Sequence, residues 1–134
     1  MKIETEERGW PAHFCAVVYC FFRRNTLVTC GSKRIVVSTV GNMQAPESWP
    51  KNIPFTQEIG CDRHYETMVF WAKKAGPYWE ADISREISFE SPWSIRKLDG
   101  TTDGKANEMH EKVVAEIIEK IPTLKTPRSR KSDL

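Results

Sequence analysis

From Phe14 to Val40 the chain reads FCAVVYCFFRRNTLVTCGSKRIVVSTV, an apolar and β-branched stretch with short polar breaks. Residues 14–22 are apolar at nearly every position, and a run this short suits a buried strand better than a helix. Arg23-Arg24-Asn25 reads as the turn that follows it. Thr26–Cys30 and Lys33–Val37 form a hairpin: Gly31-Ser32 between them suits a type II′ turn, whose twist matches that of the flanking strands. A two-residue loop sets the register. Cys30 lies opposite Lys33, Val28 opposite Ile35 and Thr26 opposite Val37 on one face; Leu27 opposite Val36 and Thr29 opposite Arg34 lie on the other. Both faces carry apolar residues, so the hairpin belongs in the middle of a sheet.

Residues 41–57 read as a loop, because Pro46, Pro50 and Pro54 remove backbone donors and discourage helix before them. Trp49 and Phe55 within it either fold back as a lid over a sheet edge or present a partner-binding loop. A second hairpin follows: Tyr65–Lys73, the connection Lys74–Pro77, and Tyr78–Phe89. The return strand alternates, with Trp79, Ala81, Ile83, Ile87 and Phe89 on an apolar face and Glu80, Asp82, Ser84, Glu86 and Ser88 on a wet one. Arg85 breaks the pattern and marks a bulge, a buried ion pair or the rim of the core. Ser91-Pro92 has the form of a helix start and predicts a short helix near 92–98. The main helix spans Asp103–Ile121, with Thr102 or Asp103 as N-cap and Pro122 as its stop. Ala106, Met109, Val113, Val114, Ile117, Ile118 and Ile121 form its apolar stripe, and His110 is expected on the surface.

These elements predict an α+β fold: an antiparallel meander of about five strands (14–22, 25–30, 33–40, 65–73, 78–89) with one C-terminal helix packed on a face. Residues 1–12 read as an arm, 13–121 as one domain and 122–134 as a disordered basic tail. A chain of 134 residues suits a single core. The acidic start MKIETEERGW is no signal peptide, and no run reaches the ~18 apolar residues of a membrane span. No membrane partner and a cytoplasmic setting are therefore expected, with the four cysteines reduced. The net charge of +2 is concentrated in the tail, where Lys125, Arg128, Arg130 and Lys131 face only Asp133.

Motifs for chemistry are sparse. There is no glycine-rich phosphate loop, GxSxG elbow or HExxH. Cys61 and His64 would have to meet to make a nucleophile and base, yet residues three apart on a strand diverge. Cys15, Cys20 and Cys30 lack the close pairs of a zinc site, so neither metal nor cofactor is expected. Two surfaces suggest binding. The wet face of the 78–89 strand with its flank presents Glu80, Asp82, Glu86 and Glu90, an acidic array able to mimic phosphates, and Trp49 adds an aromatic contact. Alternatively, Arg23, Arg24, Lys33 and Arg34, with Arg128, Arg130 and Lys131 of the tail, would bind nucleic acid.

The run FRRNTLVTCGSKRIVVSTVGNM, with YETMVF and EADISREISFESPW downstream, resembles a group of small proteins encoded by phages and prophages. The resemblance extends from about Trp10 to Ile121 and carries no catalytic residues. It implies a bacterial host cytoplasm and a non-enzymatic protein that binds a host protein or ribonucleoprotein complex, such as an inhibitor of host defence of the anti-CRISPR kind.

Overall fold

The structure, a computed structural model, describes residues 2–9, 13, 19–52, 54, 56–60, 62–97 and 101–127. Its strands are β1 (Ile3–Glu7), β2 (Cys20–Cys30), β3 (Lys33–Gln44), β4 (Thr56–Gln57), β5 (Tyr65–Ala75), β6 (Tyr78–Glu86) and β7 (Ser94–Ile95), followed by the helix α1 (Thr102–Lys120). The fold is α+β. The principal strands run β1-β2-β3-β5-β6 as an antiparallel meander, while β4 pairs with β3 and β7 with β5.

The central hairpin has the expected register, from Cys30↔Lys33 to Thr26↔Val37. Gly31 turns it at φ +62°, and Ser32 stays at negative φ, as a type II′ turn requires. Beyond Thr26 the expectation fails. Arg23-Arg24-Asn25 is not a turn but a continuation of β2, paired with Val40, Thr39 and Ser38. Three polar residues in a row look like a loop, yet the side chains of two of them meet partners distant in sequence. Asn25 is buried and accepts from Arg8, and Arg24 pairs with Glu7 and Glu111. The first part of the expected 14–22 strand, residues 14–18, lies outside the described residues, as do Trp10, Phe55 and Cys61.

The expected N-terminal arm contains β1, which pairs antiparallel with β2 from Ile3↔Cys30 to Glu7↔Thr26. Its glutamates argue against a strand by propensity. The register is held instead by Ile3 packed on the core and by the Glu7 carboxylate, which accepts from the Thr26 hydroxyl and the Asn25 N–H.

The β5–β6 hairpin turns at Gly76-Pro77. Its alternation is broken by a wide bulge: Phe70 pairs with Glu86 and Ala72 with Ala81, so residues 82–85 stand against Trp71 alone. Two of the readings offered for Arg85 hold together, since it lies in the bulge and donates to Asp82 Oδ2 at 2.6 Å. The bulge reverses the expected faces. Ile83 is 72% exposed and Asp82 only 7% exposed.

No helix forms at Ser91-Pro92. Thr67 N–H donates to Trp93 O at 2.7 Å, His64 N–H donates to Ile95 O at 2.8 Å, and β7 lines the edge of β5. An open sheet edge offers this segment several backbone partners, whereas a one-turn helix makes almost none. Ser91 instead donates its N–H and hydroxyl to Glu116 of α1, at 2.8 and 2.6 Å.

The helix follows its stripe to Pro122. Its N-cap is Thr101, without a side-chain cap, rather than Thr102 or Asp103. Val113, Val114, Ile117 and Ile121 pack against Val28, Cys30, Ile35, Val37, Val69 and Trp71, and Ala106 and Met109 against Phe22 and Tyr65. His110 lies in this stripe and is fully buried, contrary to the surface position expected for it. Lys33 Nζ donates to the carbonyls of Ile121 and Pro122 at 3.0 and 2.9 Å, satisfying acceptors at the negative end of the helix.

Candidate functional site

Ser38 of β3 and Glu66 of β5 point from the sheet face opposite the helix, polar residues set in the apolar runs IVVSTV and YETMVF. His13 joins them. Its Nε2 lies 3.0 Å from Glu66 Oε1 and its Nδ1 2.8 Å from Ser38 Oγ, while its backbone N–H donates to the same hydroxyl at 3.2 Å. The carboxylate can only accept, so Nε2 carries a proton. Arg63 Nη2 holds the second carboxylate oxygen at 3.1 Å. Burial pushes Glu66 upward, but the hydrogen bond and charge of His13 and those of Arg63 outweigh it, leaving the carboxyl below its usual range.

Serine, histidine and carboxylate are the residue types of a nucleophilic triad. Here Ser38 has no exposed surface, sits mid-strand, and has its hydroxyl engaged by both the ring and the backbone of His13. The set pins residue 13 onto the sheet.

Next to it opens a cleft of about 340 Å³ between β5 and residues 86–93. Arg63, Glu66, Met68, Ile87, Phe89 and Trp93 are among the residues that line it. The Arg63 guanidinium lies 5.0 Å from the centre of the Trp93 ring, which stays 44% exposed. Arg63 Nε is buried without an acceptor among the described residues. The bond from Thr67 N–H to Trp93 O fixes the backbone that carries the indole. A partly exposed tryptophan beside a guanidinium, on a cleft lined in part by apolar side chains, has the features of a recognition site.

The residues expected at binding surfaces are scattered. Asp82 does not belong to a wet face. It accepts from Ser84 N–H and Oγ and from Arg85, and these bonds, led by that of the Ser84 hydroxyl, lower its pKa to about 2. Glu80 is half-buried and 3.6 Å from Lys73. Glu86 and Glu90 are exposed, Glu86 on the rim of the cleft. Trp49 packs edge-on against Tyr19, with centroids 5.7 Å apart.

The basic residues do not form one patch either. Arg23 and Arg24 point to opposite faces of β2, Arg24 is held by Glu7 and Glu111, Lys33 caps the helix, and Arg34 lies 4.3 Å from the centre of the Trp79 ring. Arg128, Arg130 and Lys131 lie outside the described residues, as does Cys61, so the Cys61–His64 pair has no geometry here. Among the described residues no cluster of metal-ligating side chains occurs, and no helix is long and apolar enough to cross a membrane.

Arg63, Trp93, His13 and Ser38 escaped the sequence reading because positions 13, 38, 63–66 and 93 meet only in the fold. The available signal was a serine and a glutamate inside two otherwise buried strands. Comparison with known proteins finds no family model, no curated protein and no solved structure that matches this chain.

Proposed function

We propose that this is a non-enzymatic binding protein that captures a bacterial host protein or ribonucleoprotein at the Arg63–Trp93 cleft, in the manner of a phage-borne inhibitor of host defence. The observation that carries the binding reading is the exposed Trp93 ring beside Arg63, both lining a cleft with Ile87 and Phe89. Aromatic and arginine anchors at the edge of a pocket supply most of the energy of many interfaces. The enclosure of Ser38 supports binding over hydrolysis. The phage setting and the defence target rest on the resemblance of the 22–43, 65–70 and 80–93 segments. Asp82 and Glu80 are engaged within the fold, which favours the cleft over an acidic face as the contact.

The test is capture from bacterial lysate on immobilised protein, with and without nuclease, by the wild type and by Trp93→Ala. A nuclease-resistant partner is expected, and the substitution should lower its recovery by about tenfold or more, the loss of one hot-spot aromatic. Equal recovery by Trp93→Ala would remove the cleft from the proposal. Recovery that disappears with nuclease, and falls steeply with salt, would favour nucleic-acid binding instead.

A further inference from the structure

Residues 87–93 form a strap along the edge of β5, and the strap carries Ile87, Ser88, Phe89 and Trp93 of the cleft. It is bonded to β5 at both ends. Ile87 N–H donates to Val69 O at 2.8 Å, and Thr67 N–H donates to Trp93 O at 2.7 Å. The two anchors do not match in length. Thr67 and Val69 are two residues apart, about 7 Å along a strand. Ile87 and Trp93 are six apart, which is chain enough for about 20 Å. The excess bows out, and β5 does not dictate its path.

A carboxylate on α1 meets the middle of the bow. Glu116 Oε2 accepts from Glu90 N–H at 2.9 Å, and Oε1 accepts from Ser91 N–H at 2.8 Å and from the Ser91 hydroxyl at 2.6 Å. Lys120, one turn along the helix, donates to Oε2 at 2.7 Å and holds the carboxylate in place. Hydrogen bonds to an ionised acceptor are stronger than neutral ones, and the Glu116 side chain is only 14% exposed. Side-chain packing restrains the bow less. Ile87 is buried at its start, but Phe89 is half-buried and Ser88, Glu90 and Pro92 are exposed. Pro92 fixes φ between Ser91 and Trp93, so a shift at Ser91 is carried to the indole.

We propose that Glu116 is the positioning residue of the Arg63–Trp93 cleft: a latch on the helix that sets the bow, and through it the places of Phe89 and Trp93. Glu116 does not itself line the cleft, so it acts through the strap. Its effect on capture rests on the function proposed above; its control of the cleft's shape does not.

The test is nuclear magnetic resonance of the full chain, with lysate capture alongside. Glu116→Gln replaces one acceptor oxygen by a donor, so at least one of the Glu90 and Ser91 amides loses its partner. Exchange of that amide with solvent should quicken about tenfold or more, the loss of one bond to a charged acceptor. The indole displaces the Arg63 side-chain resonances by its ring current, and Trp93→Ala supplies the undisplaced reference. Glu116→Gln should reduce that displacement by about half or more and lower partner recovery. Ser91→Ala, which removes one bond from the strap's side, should act in the same direction to a smaller extent. Glu119→Gln removes the same charge from an exposed position on the same helix and should match the wild type throughout. Unchanged exchange or an unchanged Arg63 displacement in Glu116→Gln would overturn the proposal, as would equal changes in Glu119→Gln. If the wild type captures nothing while the Arg63 displacement still depends on Glu116, the capture function fails and the latch stands.

Discussion

His110→Ala is expected to remove about 3–4 kcal/mol of folding stability, measured by urea denaturation at pH 7. The imidazole is fully buried beneath α1, 2.7 Å from both Thr26 Oγ1 and Thr39 Oγ1. The chain of bonds has one consistent direction. Thr26 donates to the Glu7 carboxylate at 2.6 Å, so it must accept from Nε2–H of His110. Nδ1 then accepts from Thr39, which in turn accepts from Thr67 at 2.6 Å. Truncation opens a cavity and removes one hydrogen-bond partner from each of two buried hydroxyls, and both losses destabilise. His110→Gln, which keeps an acceptor and a donor, should lose less.

The same residue makes stability depend on acidity. Burial, aided by the charge of Arg24 and opposed by Glu7 and Glu111, lowers the His110 pKa from 6.5 to about 4. Above pH 6.5 the imidazole is neutral folded or unfolded. As the pH falls from 6.5 towards 4, the unfolded chain binds a proton that the native site refuses. Stability therefore declines across that window, by about 3 kcal/mol at most. Asp82 and Glu116, each lowered to about 2, contribute stability above their ordinary values of 3.8 and 4.5, and it is lost as the pH falls from there towards 2. For Glu116, burial acts upward and is outweighed by the bonds from Lys120, Ser91 and Glu90. The loss between pH 6.5 and 4.5 thus reports on His110. Urea midpoints measured across that range should flatten in His110→Gln; an unchanged slope would locate the titrating group elsewhere.

Gly41→Ala is expected to cost about 3 kcal/mol or more, or to prevent soluble folding. A Cβ at this position would stand 2.2 Å from Tyr65 Cδ2 and 2.6 Å from the carbonyl oxygen of His64. Tyr65 cannot withdraw: it is buried, edge-on to Phe22 at 5.6 Å, and its hydroxyl donates to Asp103. The His64 carbonyl belongs to backbone bonded to Asn42 N–H at 3.0 Å, so relief would mean separating β3 from β5. Gly104 provides the contrast. A Cβ there meets nothing within 4 Å, and it lies in the first turn of α1, where alanine is the better helix former. Gly104→Ala should be neutral or stabilising by up to about 1 kcal/mol. Thermal and urea denaturation should therefore show a large loss for Gly41→Ala and none for Gly104→Ala; similar behaviour would show that the approach of β5 to Gly41 is not limiting.

What the chain determined by itself were the elements whose causes are local. The Gly31-Ser32 loop specified the 26–37 hairpin residue by residue, because two residues leave one register. The recurrence of Ala106, Met109, Val113, Ile117 and Ile121, closed by Pro122, specified the helix. The α+β meander followed from joining such neighbours. What only the tertiary structure decided were the polar residues whose partners are remote. Arg23-Arg24-Asn25 continues β2 because β3 pairs with its backbone and Arg8, Glu7 and Glu111 engage the side chains of Arg24 and Asn25. The glutamate-rich Ile3–Glu7 becomes a strand because β2 presents an edge to it. Ser91-Pro92 stays out of helix because Glu116 and the β5 edge take its backbone and its neighbours'. His110 is buried because two threonines and a glutamate, 71 to 103 positions upstream, prepare a polar socket in an apolar face. The cleft belongs to the same class. Position in sequence tells which face a side chain takes, but not whether another strand brings it a charge, and that second fact decides whether a polar residue is solvated, buried or left to bind a partner.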